Sequence, residues 1–157
     1  MKKANDLVKR TELINRYKLF PVLLENGFVP FEPVFDSGID FILFHADDGI
    51  VLKVQQKADW TTDPKYLGKG IWMLFGDHYQ HSRNDWFLAP HDLMVEVDVR
   101  DHGHTESMRF KNGWHNPMSR ERKAEFAMFQ IPCVFGIITE INSKITHPDF
   151  KVEWPRS

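Results

Sequence analysis

The stretch GIDFILFHADDGIVLKVQQK, residues 38–57, decides the fold. Two apolar runs, IDFILFH and GIVLKVQQK, flank ADDG. The runs are rich in β-branched and aromatic residues, and ADDG has the composition of a tight turn, so the pair predicts an antiparallel hairpin. Asp40 lies on the first run, and Gln55 and Lys57 end the second. Antiparallel pairing brings Asp40 beside Gln55 near one end of the sheet. Side chains alternate along a strand, so Gln55 and Lys57 share a face. A carboxylate and an amide oxygen then stand together with an ammonium group beside them. Hard cations such as Mg²⁺ take oxygen ligands. Such a cation polarises a phosphoryl oxygen and lowers the pKa of bound water, and a lysine stabilises developing negative charge. The set suits metal-assisted phosphodiester hydrolysis. The plainer reading is an amphipathic hairpin whose polar end is solvated.

Outward from the hairpin, NDLVKRTELINRYKLF carries apolar residues at helical spacing, with Asn5 as a candidate N-cap. Pro21 is expected to kink that helix or start a new turn, and Gly27 suits its end. FVPFEPVF reads as an extended edge segment. GIWMLFGD and DWFLAP are two further apolar runs, joined by the polar HYQHSRN. APHDLMVEV is expected to begin with a short capped turn, and residues 100–117 to form a long polar loop. SRERKAEFAMFQ predicts a helix with Ser119 as N-cap and Phe126 and Phe129 on one face. IPCVFGIITEI reads as a further strand. The order predicts one α/β domain over residues 1–157, a central mixed β-sheet flanked by helices.

The chain has 157 residues and is 42% apolar, enough for one sizeable core. Net charge is −2, so any nucleic-acid surface must be a local patch. Cys133 is the single cysteine, which rules out an intramolecular disulfide and a cysteine-based zinc site from this chain alone. Residues 1–30 lack a signal-peptide layout and no apolar run approaches a membrane span. A cytoplasmic protein with no membrane partner is expected.

With the preceding helix included, the hairpin resembles the PD-(D/E)XK, or restriction-endonuclease-like, nuclease superfamily in a Gln-x-Lys variant. The likeness covers residues 5–76: a first helix with an acidic residue, GID on a strand, a turn, and a strand ending VQQK. Carried over, Asp40 matches the metal-binding Asp, Gln55 the variable acidic position and Lys57 the lysine that serves the attacking water. The resemblance also implies a metal-binding carbonyl from Gln56. It implies a glutamate on the first helix, for which Glu12 is the choice. Glu12 shares a stripe with Leu19 and Leu23, and Glu25 is the alternative. An Mg²⁺-dependent endonuclease acting on DNA is implied, with Mn²⁺ as substitute and a homodimer as the simplest way to cut both strands. The chain departs from the pattern in two places. Gly-Ile stands where the family name has Pro, and Gln55 is neutral, which removes one carboxylate. The alternative is a degraded nuclease fold that binds DNA or a protein without cleavage, and a third is an inhibitor or immunity-type protein.

The following stretch, DWTTDPKYLGKG, offers Thr61, Thr62, Lys65, Tyr66 and Lys69 for phosphate contact, against a plain reading as a polar turn. His78 with His81, and His102 with His104, are closely spaced but lack the context of a metal motif. Arg120, Arg122 and Lys123 read either as a DNA-backbone contact or as a solvated helix face. Trp114 reads as a base-stacking residue or, more simply, as an anchor of its loop.

Overall fold

The predicted hairpin forms, as β2 (Phe41–His45) and β3 (Val51–Lys57), in antiparallel register with Phe41 opposite Val54. These come from a computed structural model that describes residues 2–35, 38–76, 85–105, 113–116 and 118–155. Of helical residues 2–9, 11 and 12 the backbone alone is described. Before the hairpin stand α1 (Lys2–Glu25) and β1 (Phe28–Phe31), and β1 pairs with β2 at the sheet edge. Pro30 sits on that edge, where a missing N–H is tolerated.

Helix α1 runs through Pro21 rather than ending there. An internal proline costs about 3 kcal/mol. Leu19 and Leu23 are buried on either side of it, and each contributes about 1.5–3 kcal/mol. Their burial offsets the proline. Gly27 then turns the chain with φ +81°, the left-handed conformation that glycine tolerates.

After β3 the chain crosses to β5 (Ile71–Gly76), which runs parallel to β3 with Gln55 opposite Met73 and Lys57 opposite Phe75. Residues 58–70 form the crossover, close to the minimum of about a dozen for a parallel connection. The crossover contains β4 (Thr61–Thr62) and a 3-10 turn at Pro64–Tyr66 instead of a regular helix. Strand β6 (Trp86–Pro90) pairs antiparallel with β5 and leads directly into α2 (His91–His102). Among the described residues, the main sheet has five strands in the order β1-β2-β3-β5-β6. Every residue of β5 is buried, the sign of a central strand covered on both faces. Phe41, Val54 and Trp72 share the face on which Phe20 of α1 packs against Phe41. Gln55, Met73 and Phe75 share the other, where Trp60 packs against Phe75 and Phe126 against Trp60.

Two expectations are corrected in the last third of the chain. Residues 100–102 complete α2 instead of opening a loop, and Trp114–His115 form β7, which pairs with β4. IPCVFGIITEI is no strand: it makes a 3-10 turn at Cys133–Gly136 followed by α4 (Ile138–Thr146). Ile138, Ile141 and Ile145 recur at helical spacing, and that period places them against the core where strand alternation would not. Ser119 does cap α3 (Arg120–Glu125), accepting from the Arg122 N–H, and Phe126 and Phe129 are buried. The APHDLMVEV turn is α2 itself, with Pro90 at its N-cap and no side-chain cap bond. Among the described residues no helix is long and apolar enough to cross a membrane.

A buried carboxylate fastens the crossover to the helices. Asp98 of α2 is fully buried. It accepts from Trp60 Nε1 at 2.9 Å, Thr62 Oγ1 at 2.7 Å and Arg122 Nη1 at 2.8 Å. The Arg122 guanidinium also lies 4.5 Å from the Trp60 ring centre. Burial pushes the Asp98 carboxyl above its ordinary range, against the pull of its donors. Next to it, hydrogen bonds from Arg100 and Arg122 hold Asp101 down to about 2. Replacing Arg122 with Met leaves Asp98 buried without its cation. Unfolding free energy then falls by about 3–5 kcal/mol, read from urea denaturation midpoints.

Candidate functional site

Asp40 stands just before β2, and its N–H donates to the Val54 carbonyl at 2.9 Å. Its carboxylate reaches over the end of β3. Oδ2 accepts from Gln55 Nε2 at 2.5 Å and from the Gln56 backbone N–H at 2.7 Å. Gln55 is buried, and Asp40 is half-buried. The hairpin therefore brings Asp40 and Gln55 into contact, as their positions on the two strands require. Lys57 follows on the same face as Gln55, one strand repeat further on. It is half-buried, and its side chain has no hydrogen-bond partner among the described residues.

Arg16 belongs to this cluster, and the sequence reading missed it. Its Nη2 lies 3.7 Å from Asp40 Oδ1, its Nε donates to Gln56 Oε1 at 3.0 Å, and its Nη1 donates to Glu32 Oε1 at 3.2 Å. Its guanidinium lies 5.7 Å from the Phe41 ring centre. The signal was available: Arg16 stands one turn after Glu12 and three residues before Leu19, on the stripe that faces the sheet. Glu12 lies in α1, but its side chain is outside the described residues. Glu25 ends α1 as an exposed residue. Gln56 enters the cluster through its N–H and its side-chain amide.

The donors here are hard. One carboxylate and two amide side chains suit Mg²⁺ better than they suit a softer metal. Gln55 now turns its amide nitrogen to Asp40; a half-turn of the amide puts its oxygen there instead. Both oxygens would then face one cation. Among the described residues no group of three or more His, Cys, Asp or Glu is placed to hold a metal. The described carboxylate count beside Gln55 is therefore one, with a guanidinium as its neighbour.

Two other sequence candidates have structural roles. Arg122 does not face solvent or a DNA backbone, because it is buried against Asp98. Trp114 stacks on His102 with ring centres 5.0 Å apart, anchoring β7 to α2. His78 and His81 lie outside the described residues.

The segment PHD, at the β6–α2 junction, holds the crossover. His91 is fully buried, and its Nε2 accepts from the Asp63 N–H at 3.0 Å. That bond leaves the proton on Nδ1, which faces Asp92 Oδ1 at 3.4 Å. Asp92 in turn accepts from the Gly68 N–H at 3.1 Å. The Tyr66 ring meets His91 edge-on at 5.6 Å. His91 and Asp92 are thus anchors of residues 63–68.

No protein-family model matches the chain, and no solved structure matches it. A stretch of 44 residues, 28% of the chain, is 48% identical to COP9 signalosome complex subunit 5a of Arabidopsis thaliana. That stretch corresponds to 12% of the length of the plant protein, too little of either chain to show a family.

Replacing His91 with Ala strands the Asp63 N–H and opens space beside Tyr66. Stability is expected to fall by about 1–3 kcal/mol. Amide hydrogen exchange at Asp63 and Gly68 should speed up more than exchange in β3.

Proposed function

We propose that the chain is a metal-dependent nuclease of the restriction-endonuclease-like type, hydrolysing DNA phosphodiester bonds at the β2–β3 end of the sheet. One observation carries the reading: the Asp40 carboxylate touches Gln55, with Lys57 next on the Gln55 face. The order of helix, strand, turn and strand around these residues supports it further. Asp40 and the Gln55 amide oxygen would hold Mg²⁺, or Mn²⁺ in its place, with the Gln56 carbonyl beside them. A bound divalent cation polarises the phosphoryl oxygen and lowers the pKa of attacking water. Lys57 donates to that water or to the phosphoryl oxygens as negative charge develops. Arg16 positions Asp40 and Gln56. The resemblance assigns the second carboxylate to Glu12, whose backbone lies in α1 four residues before Arg16. Two copies would act on the two strands of a duplex.

A second reading has its own observation. The Arg16 guanidinium already provides Asp40 with positive charge at 3.7 Å, as it would in a module that binds DNA or a protein without cutting. Cleavage assays on duplex and single-stranded DNA in Mg²⁺ and Mn²⁺ separate the two. The nuclease loses about 10²-fold or more in rate on Lys57→Ala and on Asp40→Asn. It also loses Mg²⁺ binding by calorimetry on Asp40→Asn. Absence of both cleavage and metal binding in the unaltered protein selects the binding module.

A further inference from the structure

Between β3 and the crossover lies a cavity of about 470 Å³ whose wall includes Gly38, Lys53, Lys65, Tyr66, Gly68 and Lys69. Three ammonium groups line it, and its described lining contains no carboxylate. Their states differ. Lys65 is ion-paired to Asp63 at 2.8 Å, and its Nζ stands 4.7 Å from the Tyr66 ring centre. Lys53 donates one N–H to the Lys69 carbonyl, which holds its head at the cavity and leaves two N–H groups for another acceptor. Lys69 is exposed at the loop tip beside it. The chain as a whole is slightly acidic, so this local excess of positive charge is not a general property of the surface.

The cavity adjoins the proposed reaction site by two routes. Gly38 and Ile39 in its wall lead directly into Asp40. Lys53 and Gln55 are successive residues on one face of β3, roughly 6.6 Å apart along the strand. The wall is also fixed. Asp92 binds the Gly68 N–H, and His91 binds the Asp63 N–H, so the crossover is fastened from below by buried side chains.

We propose that this cavity binds a backbone phosphate of a nucleic-acid strand, next to the phosphate held at Asp40 and Gln55. Lys53 and Lys69 neutralise it, and Lys65 lies at the rim. The inference rests on the nuclease reading for its neighbour, yet it is read out separately, through binding.

The test measures binding of a fluorescein-labelled single-stranded DNA oligonucleotide by anisotropy over a salt series in EDTA, so that no cleavage occurs. The unaltered protein is set beside Lys53→Ala/Lys69→Ala, beside Lys69→Glu, and beside Lys144→Ala on α4 as the remote control. Both lysines are exposed, so the thermal midpoints should match. Each phosphate neutralised on a single strand contributes about 0.7 to the slope of log K against log salt. The double variant is expected to lose about 0.7 of that slope, Lys69→Glu to weaken binding further, and Lys144→Ala to change neither. An unchanged slope in the double variant overturns the proposal, and so does an absence of DNA binding by the unaltered protein. A reduced slope in a protein that never cleaves DNA keeps the phosphate site and removes the nuclease reading. Cleavage with an unchanged slope does the reverse.

Discussion

The burial of Asp98 is the constraint on which the rest of the structure depends. A carboxylate taken out of water costs several kcal/mol unless it is fully hydrogen-bonded. Here the donors come from two separate parts of the chain: Trp60 and Thr62 on the crossover, and Arg122 on α3. Satisfying one carboxylate therefore sets where the crossover lies against α2 and α3. It also seats Trp60 between Phe75 and Phe126. A parallel pairing of β3 with β5 needs its crossover held to one path, and residues 58–70 contain a short strand and a 3-10 turn instead of a regular helix. Polar anchors replace the helix: Asp98 at the start of the segment, His91 and Asp92 at its end.

That arrangement decides what faces the end of β3. With the crossover tied down from the α2 side, its lysines gather beside Lys53, and the lower wall of the cavity is rigid. On the opposite face α1 delivers Arg16 to Asp40 and Gln56. Asp40 thus sits between two basic elements, one helical and one on the loop.

The neutral Gln55 shapes the site's chemistry. A glutamate there would bring a second negative charge within 2.5 Å of Asp40, and the pair would need a cation to stay together. Glutamine lets the two meet through a hydrogen bond, and Arg16 places a guanidinium between Asp40 and Glu32. Any cation must therefore compete with the Gln55 amide N–H for the Asp40 oxygen.

The hairpin, its turn and the contact of Asp40 with Gln55 were legible in the sequence. They rest on short-range rules, the alternation of side chains and the chemistry of a four-residue turn, which act between residues close in the chain. The capped helix at Ser119 was legible for the same reason. The tertiary structure alone decided the rest. Arg122 looked like a surface cation because its sequence neighbours are charged; its partner, Asp98, lies 24 positions away and was invisible to local pattern. Residues 131–141 looked like a strand because short apolar runs fit either period, and only packing against the core selects a 3-10 turn and a helix. The parallel run of β5, the place of Arg16 at Asp40 and the cavity beside Lys53 follow from which buried polar groups find partners. That matching is a property of the whole fold, since each donor and acceptor comes from a different part of the chain.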